Sequence, residues 1–273
     1  MARLTSRSVI YQLDKMLFPG GLEPGHIVEL NGEEGTGKSQ YLLHLLATAI
    51  LPATVSGVDV GGLNAEVLFI DTKYTFNMLR LVALLEQRLS ATVNKSDDTC
   101  NTSTEAEDPV ESAVRQCLAR FFFVRCSSSS QLAVTLCSLE TVLAAKPNIR
   151  LVFLDDVSAF YHMDAFTNTE SHFSLCVSLI KKLVNTRQLL VIATRTHIDI
   201  VKLAFKHDAS GERKFSRDSE NTYLSAWRQL RTHWRTFAKG DSQNTFSVTF
   251  ESTNDVVTRV DFTVVEAGIK IVS

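Results

Sequence analysis

Closely spaced cysteine pairs of the C-x-x-C type are missing from the sequence, and its five cysteines are an odd number. Disulfide frameworks pair their cysteines, and cysteine-based zinc sites usually contain such close pairs. We therefore expect neither a disulfide scaffold nor a zinc site, and we expect thiols that are buried in a reducing compartment.

Long hydrophobic runs are lacking as well. The longest apolar region, residues 42–55, is interrupted by His44 and Pro52 and is too short to span a bilayer. Residues 1–17 contain four charged side chains and no continuous apolar core, so they do not resemble a secretory signal. The sequence therefore predicts no membrane partner and no export.

An excess of charge of one sign is the third missing feature. The chain has 28 Lys and Arg residues against 30 Asp and Glu residues, which gives a formal net charge of -2. This balance provides no overall attraction to nucleic acid, so any basic surface must be local. The apolar content of 45% is ordinary for a globular protein that buries a full core.

Strand-length apolar runs alternate with helix-length segments through most of the chain. This rhythm is typical of a mostly parallel sheet that is flanked by helices. The predicted strands are residues 26–30, 66–70, 121–125, 150–154 and 189–194. The predicted helices are residues 38–50, 76–89, 130–145 and 171–185. The last 35 residues instead alternate apolar and polar side chains, which predicts antiparallel strands at the end of an α/β sheet.

Candidate site positions follow from this prediction, because ligands of open α/β sheets bind at the carboxyl ends of the strands. The residues at or just after those ends are Asp71, Cys126, Asp155 and Arg195.

Two polar segments interrupt the alternation of strands and helices. Residues 94–111 hold six acidic residues and one Lys, which predicts an acidic surface insertion. Residues 198–222 are predicted to form a long flexible loop, a kind of segment that is often functional.

Residues 32–39 have the pattern G-x-x-x-x-G-K-S between a predicted strand and a predicted helix. Glycines let successive backbone N–H groups turn toward phosphate oxygens, a Lys reaches the β- and γ-phosphates, and a hydroxyl holds Mg²⁺. The helix that follows points its positive end at the phosphates. The predicted nucleotide-binding residues are Gly32, Glu33, Glu34, Gly35, Thr36, Gly37, Lys38 and Ser39.

The apolar run 150–154 is followed by Asp155 and Asp156. A carboxylate at the end of such a strand holds Mg²⁺ directly or through water in many nucleotide-binding proteins. We predict that Ser39 and Asp155 are the metal ligands. Asp156 is the weaker candidate because it lies one residue beyond the run.

Residues 195–239 form a locally basic stretch, with ten Lys or Arg residues against five acidic ones and a balance of +5. Aromatic residues lie between the charges, as in surfaces that follow a phosphate backbone and stack on bases. These rings are Phe215, Trp227, Trp234 and Phe237. The predicted DNA contacts are Arg195, Lys206, Arg213, Lys214 and Arg217. Basic loops are also commonly just solvated, and Trp227 and Trp234 could instead belong to the core.

Four segments in order resemble the RecA-type recombinase superfamily: "GGLEPGHIVELNGEEGTGKSQYLLHLL", "VLFIDTKYTFNMLRL", "LVFLDDVSAFY" and "LLVIATRT". The segments "EGTGK" and "SAFY" are similar to those of the eukaryotic recombinase paralogues in this superfamily. The resemblance covers residues 22–200 well and the remainder only by the order of elements. It implies a RecA-like P-loop NTPase core over residues 22–273, with ATP and Mg²⁺ as cofactors, behind a docking segment at residues 1–21.

The chain departs from active RecA-like enzymes at two positions. In those enzymes a Glu that polarises the attacking water follows the second strand, and the matching triplet here is Asp71, Thr72 and Lys73. A protonated Lys cannot act as a general base, and the resemblance places Asp71 one turn short of the water. Thr196 stands where a Gln that senses the γ-phosphate is expected. We therefore assign no catalytic residue and expect ATP hydrolysis to be very slow or absent.

The resemblance implies an accessory subunit in homologous recombination repair of DNA double-strand breaks, which works in the nucleus and supports the strand-exchange filament. The implied partners are the D member of the same paralogue set, within a larger paralogue complex, and single-stranded or branched DNA. Residues 8–17 could dock on a neighbouring subunit or cover the chain's own sheet. Because only a short segment precedes the core, self-polymerisation is not expected.

Two other functions stay open. One is a P-loop enzyme such as a small-molecule or nucleoside kinase, in which Arg213 and Arg217 could clamp a transferred phosphate from a lid. The other is a scaffold whose nucleotide loop is vestigial.

Overall fold

The computed structural model describes residues 14, 16–55, 57–93, 108–167, 170–197, 217–240, 242, 244–251 and 257–272. Within these ranges the chain forms seven helices and eleven strands. The helices are α1 Lys38–Ile50, α2 Met78–Val93, α3 Pro109–Ala119, α4 Ser129–Ala145, α5 Tyr161–Thr167, α6 Glu170–Arg187 and α7 Arg217–Leu230. The strands are β1 Ile27–Gly32, β2 Thr54–Val55, β3 Val58–Asp59, β4 Glu66–Asp71, β5 Phe121–Arg125, β6 Ile149–Asp155, β7 Leu190–Thr196, β8 His233–Lys239, β9 Thr245–Glu251, β10 Val257–Val265 and β11 Gly268–Val272.

Nine of the described strands form one sheet with the order β11-β10-β9-β8-β1-β7-β6-β4-β5. The six strands from β8 to β5 in this order are parallel, whereas β9, β10 and β11 are antiparallel. β2 and β3 form a separate hairpin. The predicted fold class, a mostly parallel sheet with antiparallel C-terminal strands, is confirmed.

The core lies on both faces of this sheet, because successive residues of a strand point to opposite sides. In β6, Leu151 and Phe153 belong to one buried cluster, while Val152 and Leu154 belong to the other. Helices α1, α2 and α3 cover the first face, and α4, α6 and α7 cover the second. Strands that are covered on both faces have continuous apolar sequences. For this reason the five strands predicted from apolar runs, which correspond to β1, β4, β5, β6 and β7, are all present.

Segment boundaries differ from the prediction in two places. Residues 109–111, assigned to the acidic insertion, form the first turn of α3, where Asp108 caps the helix by accepting a hydrogen bond from the Val110 N–H. Residues 217–222, assigned to the flexible loop, belong to α7. Residues 94–107 and 198–216 lie outside the described part of the chain.

The described end of the predicted docking segment packs on the chain itself. Leu17 and Phe18 are buried, the Arg235 Nε donates to the Leu17 carbonyl at 2.7 Å, and the Tyr41 hydroxyl donates to Asp14. This part of the segment therefore covers the chain's own β8 and α1. None of the described helices combines the length and apolar character needed to cross a membrane.

Candidate nucleotide site

The predicted site residues converge at one edge of the sheet, where the parallel strands β1, β4, β6 and β7 end. Pairing between strands brings Asp71 beside Asp155 and Gly32 beside Thr196. Since this edge is the carboxyl end of the parallel strands, it is the expected position of a ligand site in an open α/β sheet.

The glycine loop connects the end of β1 at Gly32 to the start of α1 at Lys38. Gly35 and Gly37 have φ angles of +73° and +86°, a left-handed conformation that favours glycine. A Cβ at Gly32 would lie 2.4 Å from the backbone oxygen of Phe237. In the described structure no side chain caps α1 and no acidic residue lies in its first turn, so its N-terminal N–H groups face the loop. This is the geometry of an anion site.

Lys38 is buried at the centre of the loop. Its Nζ donates to the backbone oxygens of Gly32 at 2.9 Å and Glu33 at 2.6 Å. Burial lowers the pKa of Lys38 to about 8, while Asp156 and Asp155 act in the opposite direction. The ammonium is thus held inside the loop by weak carbonyl acceptors that phosphate oxygens could replace.

The two predicted metal ligands meet in the structure. The Ser39 hydroxyl hydrogen-bonds the Asp155 carboxylate, which also accepts from the Thr194 hydroxyl. Burial raises the pKa of Asp155, and these hydrogen bonds oppose the shift. A hydroxyl and a carboxylate suit Mg²⁺, which takes its remaining ligands from phosphates and water. Among the described residues no group of three or more His, Cys, Asp or Glu side chains could hold a metal ion.

Asp156 has a different role from Asp155. Its Oδ1 accepts hydrogen bonds from the Ser158 N–H and hydroxyl, both at 2.7 Å, and its Oδ2 accepts from the Thr196 hydroxyl. Its Oδ1 therefore holds the turn after β6, and its Oδ2 links that turn to the end of β7. Asp155 stays the better candidate for the metal.

The two departures from active RecA-like enzymes are in contact with each other. The Lys73 Nζ donates to the Thr196 hydroxyl over 3.3 Å, although the two residues are 123 positions apart. The Thr196 hydroxyl in turn donates to Asp156. An ammonium therefore lies at the position that the resemblance assigns to a catalytic acid.

The Asp71 carboxylate has its partners in the turn after β4 and in β5. It is fully buried, and its carboxylate accepts hydrogen bonds from the Tyr74 N–H at 2.7 Å and the Lys73 N–H at 3.2 Å. Its second oxygen forms an ion pair with Arg125 at 3.1 Å. Asp71 thus holds the turn after β4 instead of facing the glycine loop.

Comparison with known proteins agrees with this geometry. The Rad51 family model matches residues 2–103. The mouse DNA repair protein XRCC2 is 37% identical over 253 residues, which cover 88% of this chain and 83% of the relative. The chain belongs to the Rad51 family. The Arabidopsis thaliana XRCC2 homolog is 28% identical over 64% of this chain and 55% of its own length, and the human RAD51 homolog 2 is 30% identical over 54% and 33%.

Membership of the Rad51 family narrows the functions that the sequence left open. This family member is a RecA-type recombinase paralogue that acts in DNA repair by homologous recombination. The kinase alternative is therefore no longer supported.

Only some side chains of the basic stretch, residues 195–239, are exposed in this Rad51-family chain. Arg195 is 7% exposed and forms an ion pair with Glu29 at 3.2 Å. Trp227 and Phe237 are buried, so these two rings belong to the core. Trp234 is 41% exposed, with the Arg231 guanidinium 4.9 Å from its ring centre. The burial of Arg195 argues against its predicted contact with DNA.

Of the other four predicted DNA contacts, Arg217 is the first residue of α7. Lys206, Arg213 and Lys214 lie outside the described residues.

Lys239 is a neighbour of the glycine loop that the sequence analysis missed. It ends β8, which runs parallel to β1, and a Cβ at Gly35 would lie 3.4 Å from its Cε and 3.5 Å from its Nζ. Lys239 lies within the basic stretch, and β8, the strand that brings it to the loop, was not among the predicted strands. Thr194 lies in a predicted strand, but only the order of the strands in the sheet brings its hydroxyl to Asp155.

Proposed function

We propose that this Rad51-family chain is an ATP-binding accessory subunit of a recombinase paralogue complex. It supports the strand-exchange filament in homologous recombination repair of DNA double-strand breaks. One observation carries the proposal: the glycine loop, Lys38, Ser39 and Asp155 converge at one sheet edge, while Lys73 occupies the place of the water-activating acid. Such a site would bind the phosphates of ATP and would lack the base that hydrolysis needs.

The binding mechanism follows from the loop and the helix behind it. The N–H groups at the start of α1 and the Lys38 ammonium would bind the phosphates from one side, as in other loops of this pattern. Ser39 and Asp155 would hold Mg²⁺, whose charge neutralises the β- and γ-phosphate oxygens when it is bound. The residues present fit both ATP and Mg²⁺.

Hydrolysis would be very slow or absent. A protonated Lys73 cannot accept a proton from water, and the Asp71 carboxylate is already used by the turn after β4 and by Arg125. We expect purified protein to show little ATP turnover. Rapid turnover that is lost in Lys38→Ala would contradict this part of the proposal.

The partners belong to the same proposal. The relatives' names support membership of a complex of RAD51 paralogues, and we propose the D-type paralogue as the direct partner. We also propose that the chain works in the nucleus and that Lys206, Arg213, Lys214 and Arg217 contact single-stranded or branched DNA. Arg195 is left out of this surface because it is buried.

ATP binding is tested by titrating the purified chain with a fluorescent ATP analogue in the presence of Mg²⁺. Lys38→Ala should weaken binding at least about tenfold, because it removes a charged ligand of the phosphates, whereas Lys182→Ala on the exposed surface of α6 should not. If the unmodified chain shows no affinity for ATP, the scaffold alternative is correct.

The partner is tested by co-purification with the D-type paralogue. The pull-down is done with ATP, with ADP and without nucleotide, for the unmodified chain and for Lys38→Ala. We expect a stable pair in at least the ATP condition. Failure to pair under every condition would contradict the assignment as a paralogue subunit.

A further inference from the structure

The Lys73 side chain extends from the turn after β4, across the end of β6, to the end of β7. Lys73 follows β4, and Thr196 ends β7, while β6 lies between these two strands. The 3.3 Å contact between the Lys73 Nζ and the Thr196 hydroxyl therefore passes over the end of β6 at Asp155 and Asp156. Because Thr196 is the register partner of Gly32, the ammonium lies one strand away from the start of the glycine loop.

The backbone of Lys73 is held from both sides. Asp71 accepts a hydrogen bond from the Lys73 N–H, and the neighbouring Thr72 N–H donates to the Asp155 carbonyl at 2.7 Å. The Thr72 hydroxyl donates to the Asp156 carbonyl, also at 2.7 Å. These bonds fix the backbone from which the Lys73 side chain extends toward Thr196.

Lys38 and Lys73 both follow strands that end at the same edge of the sheet, Lys38 after β1 and Lys73 after β4. The Lys38 Nζ donates to the backbone oxygens of Gly32 and Glu33, and the Lys73 Nζ contacts Thr196, the register partner of Gly32. Like charges close together repel each other unless an anion lies between them. An ammonium has three N–H donors, and within the described residues one hydrogen bond to Thr196 is recorded for Lys73.

These contacts indicate which phosphate of a bound nucleotide the Lys73 ammonium would contact. In loops of this pattern the Lys reaches the β- and γ-phosphates, and the metal bridges oxygens of the same two groups. The Lys73 Nζ contacts Thr196, whose hydroxyl also donates to Asp156, the residue after the proposed metal ligand Asp155. Lys73 would therefore lie at this outer end of a bound triphosphate. A diphosphate would lack the group nearest to it.

We propose that Lys73 is a ligand of the γ-phosphate and that it makes the site select ATP over ADP. This inference rests on the proposed nucleotide site. An acid at this position would repel the γ-phosphate. The Lys73 ammonium would attract it and would leave the bond between the β- and γ-phosphates intact. The chain is then occupied preferentially by ATP without needing to hydrolyse it.

The test measures the affinities for ATP and for ADP by displacement of a fluorescent nucleotide. We expect the unmodified chain to bind ATP at least about tenfold more tightly than ADP. Lys73→Gln should remove most of this preference by weakening ATP alone, and Lys73→Arg should keep it. Unchanged ADP affinity in Lys73→Gln also shows that the variant is folded and that its loop is intact.

Two further titrations test whether Lys73 contacts the phosphate directly and whether the loss of any surface Lys has the same effect. The titrations are repeated in EDTA, where the effect of Lys73→Gln should persist if the contact with phosphate is direct. Lys182→Gln removes an exposed Lys on α6 and should change neither affinity.

An unchanged ATP preference in Lys73→Gln, an equal loss for both nucleotides, or an effect that disappears in EDTA would each overturn the inference while leaving the nucleotide site in place. If the unmodified chain binds neither nucleotide, the proposed function fails and the inference fails with it.

Discussion

Gly268 is the residue at which the C-terminal hairpin meets the helix behind the nucleotide loop. Its φ angle is +115°, and a Cβ at this position would lie 2.7 Å from the Nδ1 of His44 on α1 and 2.8 Å from an Arg88 nitrogen on α2. The Arg88 side chain cannot move away freely, because it is also hydrogen-bonded to Thr48 and to the Ala267 carbonyl. Only glycine fits here without displacing these groups.

We therefore predict that Gly268→Ala lowers the free energy of unfolding by about 2–4 kcal/mol through backbone strain and this clash. Gly57→Ala is the matched control, because Gly57 has a φ of +81° and no atom lies within 4 Å of its added Cβ. It should lose only about 1 kcal/mol. Urea denaturation measures both values, and equal losses would contradict the assigned clash.

At the scale of elements, a buried charge network joins α7 and β7 to β1. Glu29 at the centre of β1 is fully buried, and its carboxylate accepts a hydrogen bond from the Trp227 indole at 2.7 Å. It also pairs with Arg231 after α7 and with Arg195 at the end of β7. Since β1 leads directly into the glycine loop, this network fixes the elements on both sides of residues 198–216 to the strand that positions the nucleotide site.

Glu29→Gln should lower the free energy of unfolding by about 3–5 kcal/mol, because two arginines would lose the charge that compensates their burial. The matched control is Glu140→Gln, which breaks an exposed ion pair with Lys182 and should have little measurable effect. Urea denaturation of both variants tests the prediction. A small loss for Glu29→Gln would mean that the network contributes little to holding these elements together.

The success of sequence reasoning also differed from element to element. The glycine loop, α1 and the five apolar strands were predicted, because each depends on a local pattern of residue types. β8 was not, although it lies at the centre of the sheet, because His233, Trp234 and Arg235 interrupt any apolar run. Arg235 is tolerated there since its guanidinium bonds the Leu17 carbonyl and lies 4.5 Å and 4.4 Å from the ring centres of Phe18 and Phe250.

At the scale of the whole molecule, three histidines tie stability to pH. Burial lowers the pKa of His44 to about 3 and that of His233 to about 4, and it also lowers the pKa of His26. A lowered pKa in the folded state means that the unfolded chain binds protons first as the pH falls. The stability these groups contribute is therefore complete above pH 6.5 and is lost progressively below it.

We expect the free energy of unfolding to fall between pH 7 and pH 5, with a loss on the order of 2 kcal/mol from His44 alone. Asp155 acts in the opposite direction, because its raised pKa favours the folded state as the pH falls. Urea denaturation at both pH values measures the change. His44→Gln should show a smaller pH dependence than the unmodified chain, and an identical dependence would rule out His44 as a source.

The glycine loop, the strands that are buried on both faces and the resemblance to recombinases are all predictable from the sequence, because they follow from residue types at short spacing. The contact of Lys73 with Thr196, the burial of Arg195 against Glu29 and the position of Lys239 beside Gly35 become visible only in the fold. Such contacts depend on strand order and register, which join positions far apart in the chain. For this reason the identity of the loop was predictable, whereas the charges that surround it were not.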